Sequence, residues 1–422
     1  MKIDLSKIKK VFFIGIGGIG ISAIARMMLL QGKEVSGSDM SENELTQELK
    51  KLGVKVTIGQ SFELIPKDVN LIVYTIAIPH YDSKLFKQVV DSNIPYKSYP
   101  EMLGVVTKDK YTIAIAGTHG KTTTTAMIAK ILVDAQLDPS VIVGSLLNPS
   151  NTSGQGKSNL IVGKSKYFVV EACEYERSFL NLKPKLSVIT NIEADHLDYY
   201  KDLNDIQDAF NQFELQSENV IKEYREYLEK VPKLRVPGEH NRMDAAAAYA
   251  AAIFLGINEE IIQKSLASFE GTWRRLEKRG QTKEGAIIYD DYAHHPTEIK
   301  ASLQALRELY PKNKYKITIL FQPHLYSRTK ALFEDFTKSF KEADKTLLLP
   351  IYFAREEKDS SVSSEKLAEA ICLAGDDAQV FSTFELAEKY VRTLNLSSKD
   401  VFVTMGAGEA YKVAEKTLKF DK

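Results

Sequence analysis

Residues 111–123 of the 422-residue chain have the sequence YTIAIAGTHGKTT. An apolar strand pattern leads into a turn with two glycines, and a helical pattern begins at Thr122. The amides of such a turn can surround phosphate groups, while the Lys121 ammonium neutralises their charge and the Thr122 hydroxyl binds Mg²⁺. Residue 115 is isoleucine where the usual phosphate-binding loop has glycine. The strand, turn and helix nevertheless predict a nucleotide-binding loop in a parallel α/β domain.

A second glycine-rich turn lies near the N-terminus, where residues 15–20 have the sequence GIGGIG. It follows a predicted strand and precedes a predicted helix, so its amides would face a diphosphate. Asp39 ends the next predicted strand, where an acid typically meets a ribose or a base. The candidate binding residues are Gly15, Gly17, Gly18, Ile19, Gly20 and Asp39. Taken alone, this turn also allows an NAD(P)-dependent oxidoreductase, and the lysines before it allow a signal peptide, which the glycines disfavour.

The composition excludes several classes of protein. Lys and Arg number 56 and Asp and Glu also number 56, so no general attraction to nucleic acid or anionic lipid is expected. A hydrophobic content of 44% is enough for folded cores and argues against a disordered or fibrous chain. The two cysteines cannot form a disulfide framework, which favours a reducing, cytoplasmic location. The longest weakly polar stretch, residues 245–257, is shorter than the roughly 20 residues that a membrane span needs.

Alternating strand and helix patterns predict an α/β fold with three domains, at residues 1–108, 109–271 and 272–422. The middle domain has a charged helical pattern at residues 214–233. Its core should fold from residues 111–190, which already supply the central strands. The predicted strands are residues 11–14, 34–38, 71–74, 111–116, 167–171, 186–190, 286–289, 316–321, 346–351, 379–382 and 401–405.

Acids and imidazoles follow the predicted strands of the middle domain. Glu171 ends one strand and His196 follows another, on the edge that carries the nucleotide loop. Together with Thr122 they are the candidate Mg²⁺ ligands, and Glu193 and Asp195 are weaker ones. The sequence therefore predicts a divalent ion beside the nucleotide.

The third domain carries a similar cluster. Asp291, Tyr292 and His294 follow one predicted strand and Arg328 follows the next, so they should meet in one crevice. Arg328 and the imidazoles could hold a carboxylate and position an amine. Arg275, at the domain boundary, could reach a transferring phosphate after domain closure.

In order along the whole chain, these motifs resemble those of the Mur ligase family. The motif residues are 117–123, 191–196, 238–241, 274–275, 290–298 and 321–329. Within the family, the chain is most similar to the members that join L-alanine to UDP-N-acetylmuramic acid. The resemblance implies a Rossmann-like N-terminal domain for the UDP-sugar, a central P-loop-type ATPase domain and a C-terminal Rossmann-like domain for the amino acid.

The resemblance also implies a reaction of peptidoglycan precursor synthesis. The lactoyl carboxylate attacks the γ-phosphate of ATP, and the amine of L-alanine attacks the resulting acyl phosphate. The first glycine turn would then hold the UDP diphosphate. Lys121, His196 and Arg275 are the implied catalytic residues, and Thr122, Glu171 and His196 the implied Mg²⁺ ligands. The implied ATP-binding residues are Gly117, Thr118, His119, Gly120, Lys121, Thr122, Thr123, Asn241, Arg275 and Asp291. Tyr292, His294 and Arg328 match the amino-acid pocket.

Two departures from the family pattern keep alternatives open. Asp244 stands where a second asparagine is usual, and the segment at residues 197–237 is shorter than in the family. A ligase that adds a preformed peptide to the same UDP-sugar is one alternative, and a non-catalytic UDP-sugar-binding protein is another. The expected partners are small-molecule substrates, without nucleic acid or membrane, and the expected state is a monomer or homodimer.

Overall fold

The computed structural model describes residues 3–149, 157–353 and 356–419. They form an α/β fold with three sheets of five, six and six strands, which confirms the predicted fold class. The chain divides into two compact units. The first unit holds the described residues up to Ile192, with Gln207–Tyr224 and Ala247–Ser265, and the second holds the described remainder. The domain boundaries at residues 108 and 271 stay predictions.

The first sheet is entirely parallel, with the spatial order β3-β2-β1-β4-β5. Its strands are β1 (Lys10–Ile14), β2 (Glu34–Asp39), β3 (Lys55–Ile58), β4 (Leu71–Tyr74) and β5 (Tyr96–Ser98). Its helices are α1 (Ile19–Leu30), α2 (Glu44–Lys51), α3 (Ile78–Tyr81), α4 (Ser83–Asp91) and α5 (Tyr99–Thr107). The strand order reverses between β1 and β4, so the glycine turn after β1 lies at the position where such sheets bind ligands.

The second sheet has the order β11-β10-β6-β9-β7-β8, and only β7 and β8 pair antiparallel. Its strands are β6 (Tyr111–Ala116), β7 (Ser140–Leu147), β8 (Ser158–Ile161), β9 (Tyr167–Glu171), β10 (Leu186–Ile189) and β11 (Val220–Ile221). The next helices are α6 (Lys121–Asp134), α7 (Leu203–Leu215), α8 (Glu239–Phe254) and α9 (Glu259–Ala267). Five of the six strands come from residues 111–190, so this segment supplies the core as predicted.

The predicted helical run at residues 214–233 is wrong. Helix α7 ends at Leu215, and the chain then forms the two-residue strand β11 and a 3₁₀ turn at Arg225–Lys230. Val220 and Ile221 pair with β10 at the sheet edge. These β-branched residues gain more from extending the sheet than from the helical propensity of the charged residues around them.

The third sheet has the order β12-β13-β17-β14-β15-β16. Its strands are β12 (Glu277–Gln281), β13 (Ile287–Asp291), β14 (Lys316–Phe321), β15 (Lys345–Leu348), β16 (Ala378–Val380) and β17 (Asp400–Met405). Its helices are α10 (Pro296–Leu309), α11 (Tyr326–Ala331), α12 (Phe333–Thr337), α13 (Ser364–Leu373), α14 (Phe384–Thr393) and α15 (Tyr411–Thr417). Buried apolar clusters cover both faces of this sheet.

Helix α10 shows how local sequence fixes an element beside the site. His295 is its N-cap, Pro296 is its first residue, and the Glu298 side chain bonds back to the cap. Proline suits the first helical turn because its missing N–H would have no intrahelical partner there.

Across the described residues, no helix combines the length and the apolar character that crossing a membrane requires.

Candidate active site

The nucleotide loop between β6 and α6 is held by the end of β10. Gly117 has φ 139° and Gly120 has φ 79°, so both use backbone conformations that side chains disfavour. A Cβ atom on Gly117 would lie 2.0 Å from Thr190 Oγ1. Asn191 Oδ1 accepts a hydrogen bond from the His119 amide at 2.9 Å. The loop is therefore preformed, with Thr118, Thr122 and Thr123 buried around the start of α6.

Lys121 lies at the centre of this loop. Its ammonium donates to the carbonyl oxygens of Gly117 and Thr118 and to the Glu174 carboxylate, the last at 3.0 Å. Burial alone would lower the pKa of Lys121, but Glu174, Cys173 and Glu171 together outweigh burial and raise it. The lysine is therefore a cation placed where phosphates would bind. Sequence reasoning missed Glu174, although it follows Glu171 by only three residues.

Thr122 and Glu171 meet at the carboxyl edge of the second sheet. Thr122 Oγ1 donates to Glu171 Oε1 at 3.0 Å, and Glu171 Oε2 accepts from the Gly144 amide at 2.7 Å. A hydroxyl and a carboxylate are the oxygen donors that Mg²⁺ prefers, so this pair fits the ion. Residues 3–149, 157–353 and 356–419 contain no group of three His, Cys, Asp or Glu side chains arranged as a metal site. His196 lies in the second unit, and its role as a ligand stays a prediction.

The first glycine turn connects β1 to α1. The amides of Gly15 and Ile16 donate to the Ser38 carbonyl, and the Gly17 amide donates to Asp39 Oδ2 at 2.8 Å. Asp39 thus holds the turn in place, in addition to the ribose or base contact predicted for it. Gly18 is the N-cap of α1 and makes no side-chain cap. The amides that begin α1, from Ile19 and Gly20 onward, therefore suit an anion.

Gly20 also has a packing role in this turn. A Cβ atom on Gly20 would lie 2.5 Å from the Tyr99 hydroxyl oxygen, so only glycine allows this approach of α1 to α5. Packing against Tyr99 therefore requires glycine at position 20, in addition to any requirement from the ligand that the turn would hold.

In the second unit, Asp291 ends β13 in a buried position. Its carboxylate accepts hydrogen bonds from the Ser302 hydroxyl and from the Ala293 amide. Burial raises the pKa of Asp291 to about 6, against the opposing influence of Ser302 and Arg275. Asn241, near the start of α8, donates from its amide to the Pro237 carbonyl at 2.6 Å.

The two neighbouring arginines at the predicted domain boundary have different environments. Arg274 is 3% exposed and donates to Asp290 at 2.8 Å and to the carbonyls of Gly406 and Gly408. Arg275 is only half-buried, and its guanidinium lies 5.1 Å from the centre of the Tyr292 ring. Arg274 therefore stabilises the fold, while Arg275 remains the candidate for a nucleotide contact.

The predicted amino-acid residues lie together in the second unit. The His294 ring lies 5.4 Å from the Tyr292 ring and 5.7 Å from the His324 ring. His324 Nδ1 is 3.2 Å from the Arg328 guanidinium. Burial lowers the pKa of His294 to about 4, so this imidazole is neutral at pH 7. The structure adds His324 to the predicted set of Tyr292, His294 and Arg328.

Asp195 joins this cluster as the carboxylate partner of Arg328, at 3.0 Å. Burial alone would raise the pKa of Asp195, but Arg328 and the nearby histidines hold it well below its usual range. The amide of His196 also donates to Asp195, at 2.7 Å. Asp195, His196 and Arg328 line one cavity, together with Leu325 and Leu332. Asp195 therefore orients the arginine, a role that differs from the metal ligation considered for it from the sequence.

Comparisons with known proteins cover nearly the whole chain. The model "Mur ligase family, catalytic domain" matches residues 10–111, "Mur ligase middle domain" residues 115–224, and "Mur ligase, glutamate ligase domain" residues 274–408. The UDP-N-acetylmuramate–L-alanine ligase of Clostridium kluyveri is 40% identical over 98% of this chain and 99% of its own length. The corresponding ligase of Agathobacter rectalis is 39% identical over 99% of each chain.

Solved structures agree with these matches. The UDP-N-acetylmuramate-alanine ligase of Thermotoga maritima is 26% identical over 97% of this chain and 98% of its own, with a TM-score of 0.82. A murein peptide ligase of Psychrobacter arcticus has a TM-score of 0.69 at 22% identity over 97% of this chain and 98% of its own, which shows a shared fold. Because relatives about 40% identical align over nearly their full length, this chain belongs to the Mur ligase family.

Proposed function

We propose that the chain is a cytoplasmic, ATP-dependent ligase that joins L-alanine to the lactoyl carboxylate of UDP-N-acetylmuramic acid. The observation that carries this proposal is the full-length identity of about 40% to ligases named for these two substrates. The geometry is consistent with it, because the first unit has two glycine turns suited to phosphates. Lys121 accompanies only the second of these turns.

In the proposed first step, the lactoyl carboxylate attacks the γ-phosphorus of ATP and ADP leaves. Lys121 stabilises the negative charge that moves across the phosphates, because its side chain is only 14% exposed and its ammonium already contacts the loop. Arg275 and Asp291 are the further nucleotide contacts that we propose from the second unit, and Asn241 is the contact for adenine. Phosphoryl transfer depends mainly on position and charge, which these residues supply.

We propose that Thr122 and Glu171 would hold Mg²⁺, with His196 as the third ligand. When bound, the ion neutralises charge on the phosphate oxygens. Thr122 and Glu171 already lie in contact, so binding would need only small side-chain movements.

In the proposed second step, the amine of L-alanine attacks the carbonyl of the acyl phosphate. The tetrahedral intermediate expels inorganic phosphate, and the amine loses a proton as the amide forms. Arg328 is the proposed partner of the alanine carboxylate, and the neutral His294 can accept a hydrogen bond from the amine. Tyr292 completes the proposed pocket beside them.

The alternatives explain less of the molecule. An NAD(P)-dependent oxidoreductase would have no use for Lys121 and its ion pair at the second loop. A ligase for a preformed peptide shares the fold, but the peptide ligase of Psychrobacter arcticus is only 22% identical. A non-catalytic sugar-binding protein would need neither Lys121 nor the Thr122–Glu171 pair.

An isotope experiment tests the proposed route. UDP-N-acetylmuramic acid labelled with ¹⁸O in its carboxylate is incubated with ATP, Mg²⁺ and L-alanine, and the phosphate is analysed by mass spectrometry. We expect one ¹⁸O atom in each phosphate released, because the carboxylate oxygen that attacks phosphorus leaves with it. Amide product accompanied by unlabelled phosphate would contradict the acyl phosphate step.

A further inference from the structure

The proposed mechanism gives no task to Glu174, one of the most deeply buried acids of the first unit. Its side chain is 3% exposed, and both carboxylate oxygens lie about 3 Å from Lys121 Nζ, at 3.0 and 2.9 Å. Glu171, three residues earlier, instead contacts Thr122 and the Gly144 amide. The two acids of this short stretch therefore hold different parts of the nucleotide loop.

The backbone that follows Glu174 is strained. Glu176 has φ 51° and ψ 32°, and Arg177 has φ 53° and ψ 26°, so two successive residues with side chains adopt the left-handed conformation. Residues other than glycine disfavour this conformation, and it persists only where surrounding contacts enforce it. The amide of Arg177 donates to the Glu174 carbonyl at 2.9 Å. The strain thus lies in the turn that presents Glu174 to Lys121.

Contacts on two sides hold this turn, which we name the Glu174 segment (residues 174–179). Phe179 is 1% exposed and stacks on Phe213 with ring centres 4.7 Å apart. His80 Nε2 lies 2.6 Å from Glu176 Oε1. His80 lies in α3, which follows β4. Strand β4 pairs with β1, and β1 leads into the first glycine turn. A residue of the first sheet region therefore fixes the segment that positions Lys121.

The donors of the lysine suggest what this arrangement does. An ammonium has three N–H donors, and those of Lys121 now serve the Gly117 carbonyl, the Thr118 carbonyl and Glu174. Phosphate oxygens can replace the two carbonyls as acceptors, while the bond to Glu174 keeps the ammonium in place. We propose that Glu174 is a positioning residue for Lys121 in phosphoryl transfer, and that His80 holds the strained segment that presents it. This inference rests on the proposed function.

The test compares Glu174→Gln and Glu174→Asp with the parent chain. Glutamine keeps the shape and removes the charge, so we expect kcat to fall about 10- to 100-fold, since a misplaced catalytic group costs about that much. Binding of a non-hydrolysable ATP analogue should weaken, while the Kd for UDP-N-acetylmuramic acid stays unchanged. Aspartate keeps the charge but has a shorter reach, so this variant should retain more of kcat and of the analogue affinity than the glutamine variant does. If the glutamine variant does not fold, the aspartate variant is compared with the parent chain alone, and a smaller loss of kcat and of analogue affinity is still expected.

A matched control exists on the same helix. Lys130 of α6 pairs with Asp134 at 3.0 Å, and Asp134→Asn should leave kcat and analogue binding unchanged. Parent-like kcat and analogue binding in Glu174→Gln would overturn the proposal. Equal losses of acceptor and analogue affinity would also overturn it, because they indicate a merely structural role. If the parent chain shows no ligase turnover, the proposed function fails, and the analogue Kd values still decide the role of Glu174.

The contribution of His80 is tested with the same two readouts. His80→Ala removes the contact to Glu176 and should lower kcat in the same direction as Glu174→Gln, by a smaller factor. His80→Gln keeps an N–H donor and should stay close to the parent chain. An alanine variant with parent-like kcat and analogue binding would show that His80 does not hold the segment.

Discussion

Replacing Lys121 with alanine should abolish ATP-dependent turnover and leave the affinity for UDP-N-acetylmuramic acid close to that of the parent chain. The variant removes the ammonium that donates to the Gly117 and Thr118 carbonyls of the nucleotide loop. Loss of a single preorganised charge at a phosphoryl-transfer site typically costs about 10³-fold in rate. The acceptor should still bind, since its diphosphate is assigned to the first glycine turn. Phosphate release and calorimetric titration with the UDP-sugar measure the two effects.

The control for this variant is Lys130→Ala. Lys130 also lies in α6 and has a carboxylate partner, and it is buried two and a half turns further along the helix. The Lys130→Ala variant should be less stable than the parent chain, but its turnover per folded molecule should be unchanged. Residual turnover within tenfold of the parent in Lys121→Ala would refute the assignment of this loop to ATP.

Arg274→Ala should destabilise the second unit by about 3–5 kcal/mol, the usual cost of leaving one partner of a buried ion pair alone. Asp290 is 0% exposed and would lose its cation, while the Gly406 and Gly408 carbonyls would lose their donors. The guanidinium also lies 4.6 Å from the centre of the Tyr411 ring. Urea unfolding, followed by fluorescence, measures the change in the free energy of unfolding. If too little of the alanine variant can be purified, Arg274→Lys is measured in its place.

The neighbouring residue supplies the comparison. Arg275→Ala should change the free energy of unfolding by less than about 1 kcal/mol, since its side chain is only half-buried, yet it should lower turnover strongly. The reverse pattern, with Arg275 essential for stability and Arg274 dispensable, would contradict the roles given to this pair.

The elements that frame the sites follow well from local sequence. β4, β6, β9 and β14 begin and end at the predicted residues, because buried parallel strands are continuous apolar runs. Glycines also mark the turns after β1 and β6, because Gly15, Gly117 and Gly120 have the positive φ values that side chains disfavour. The start of α10 at Pro296 was equally predictable from its capping residues.

Elements on sheet edges were harder to predict. The sequence EKRGQ of β12 has no apolar alternation, because this strand lies at an edge and pairs only with β13. β11 is two residues long, and its place depends on β10 rather than on its own sequence. Such strands are selected by tertiary pairing, which local patterns do not contain.

Pairings between distant residues were the main omission at the sites. Glu174 is 53 residues from Lys121, and Asp195 is 133 residues from Arg328. Glu174 follows Glu171 by three residues and Asp195 lies within the motif at residues 191–196, yet the partner of each acid follows only from the folded geometry. Both acids form ion pairs with a cation, and these pairings are not apparent from residue type or spacing.

The central claim is that this chain activates the UDP-sugar carboxylate with ATP and passes it to L-alanine. The most direct test supplies UDP-N-acetylmuramic acid, ATP and Mg²⁺ with L-alanine, glycine, L-serine and an L-alanine-containing tripeptide in competition, and identifies the products by mass spectrometry. We expect the L-alanine amide to dominate, with one phosphate released for each amide formed. Preference for the tripeptide, or UDP-sugar binding with no amide from any amine, would contradict the account.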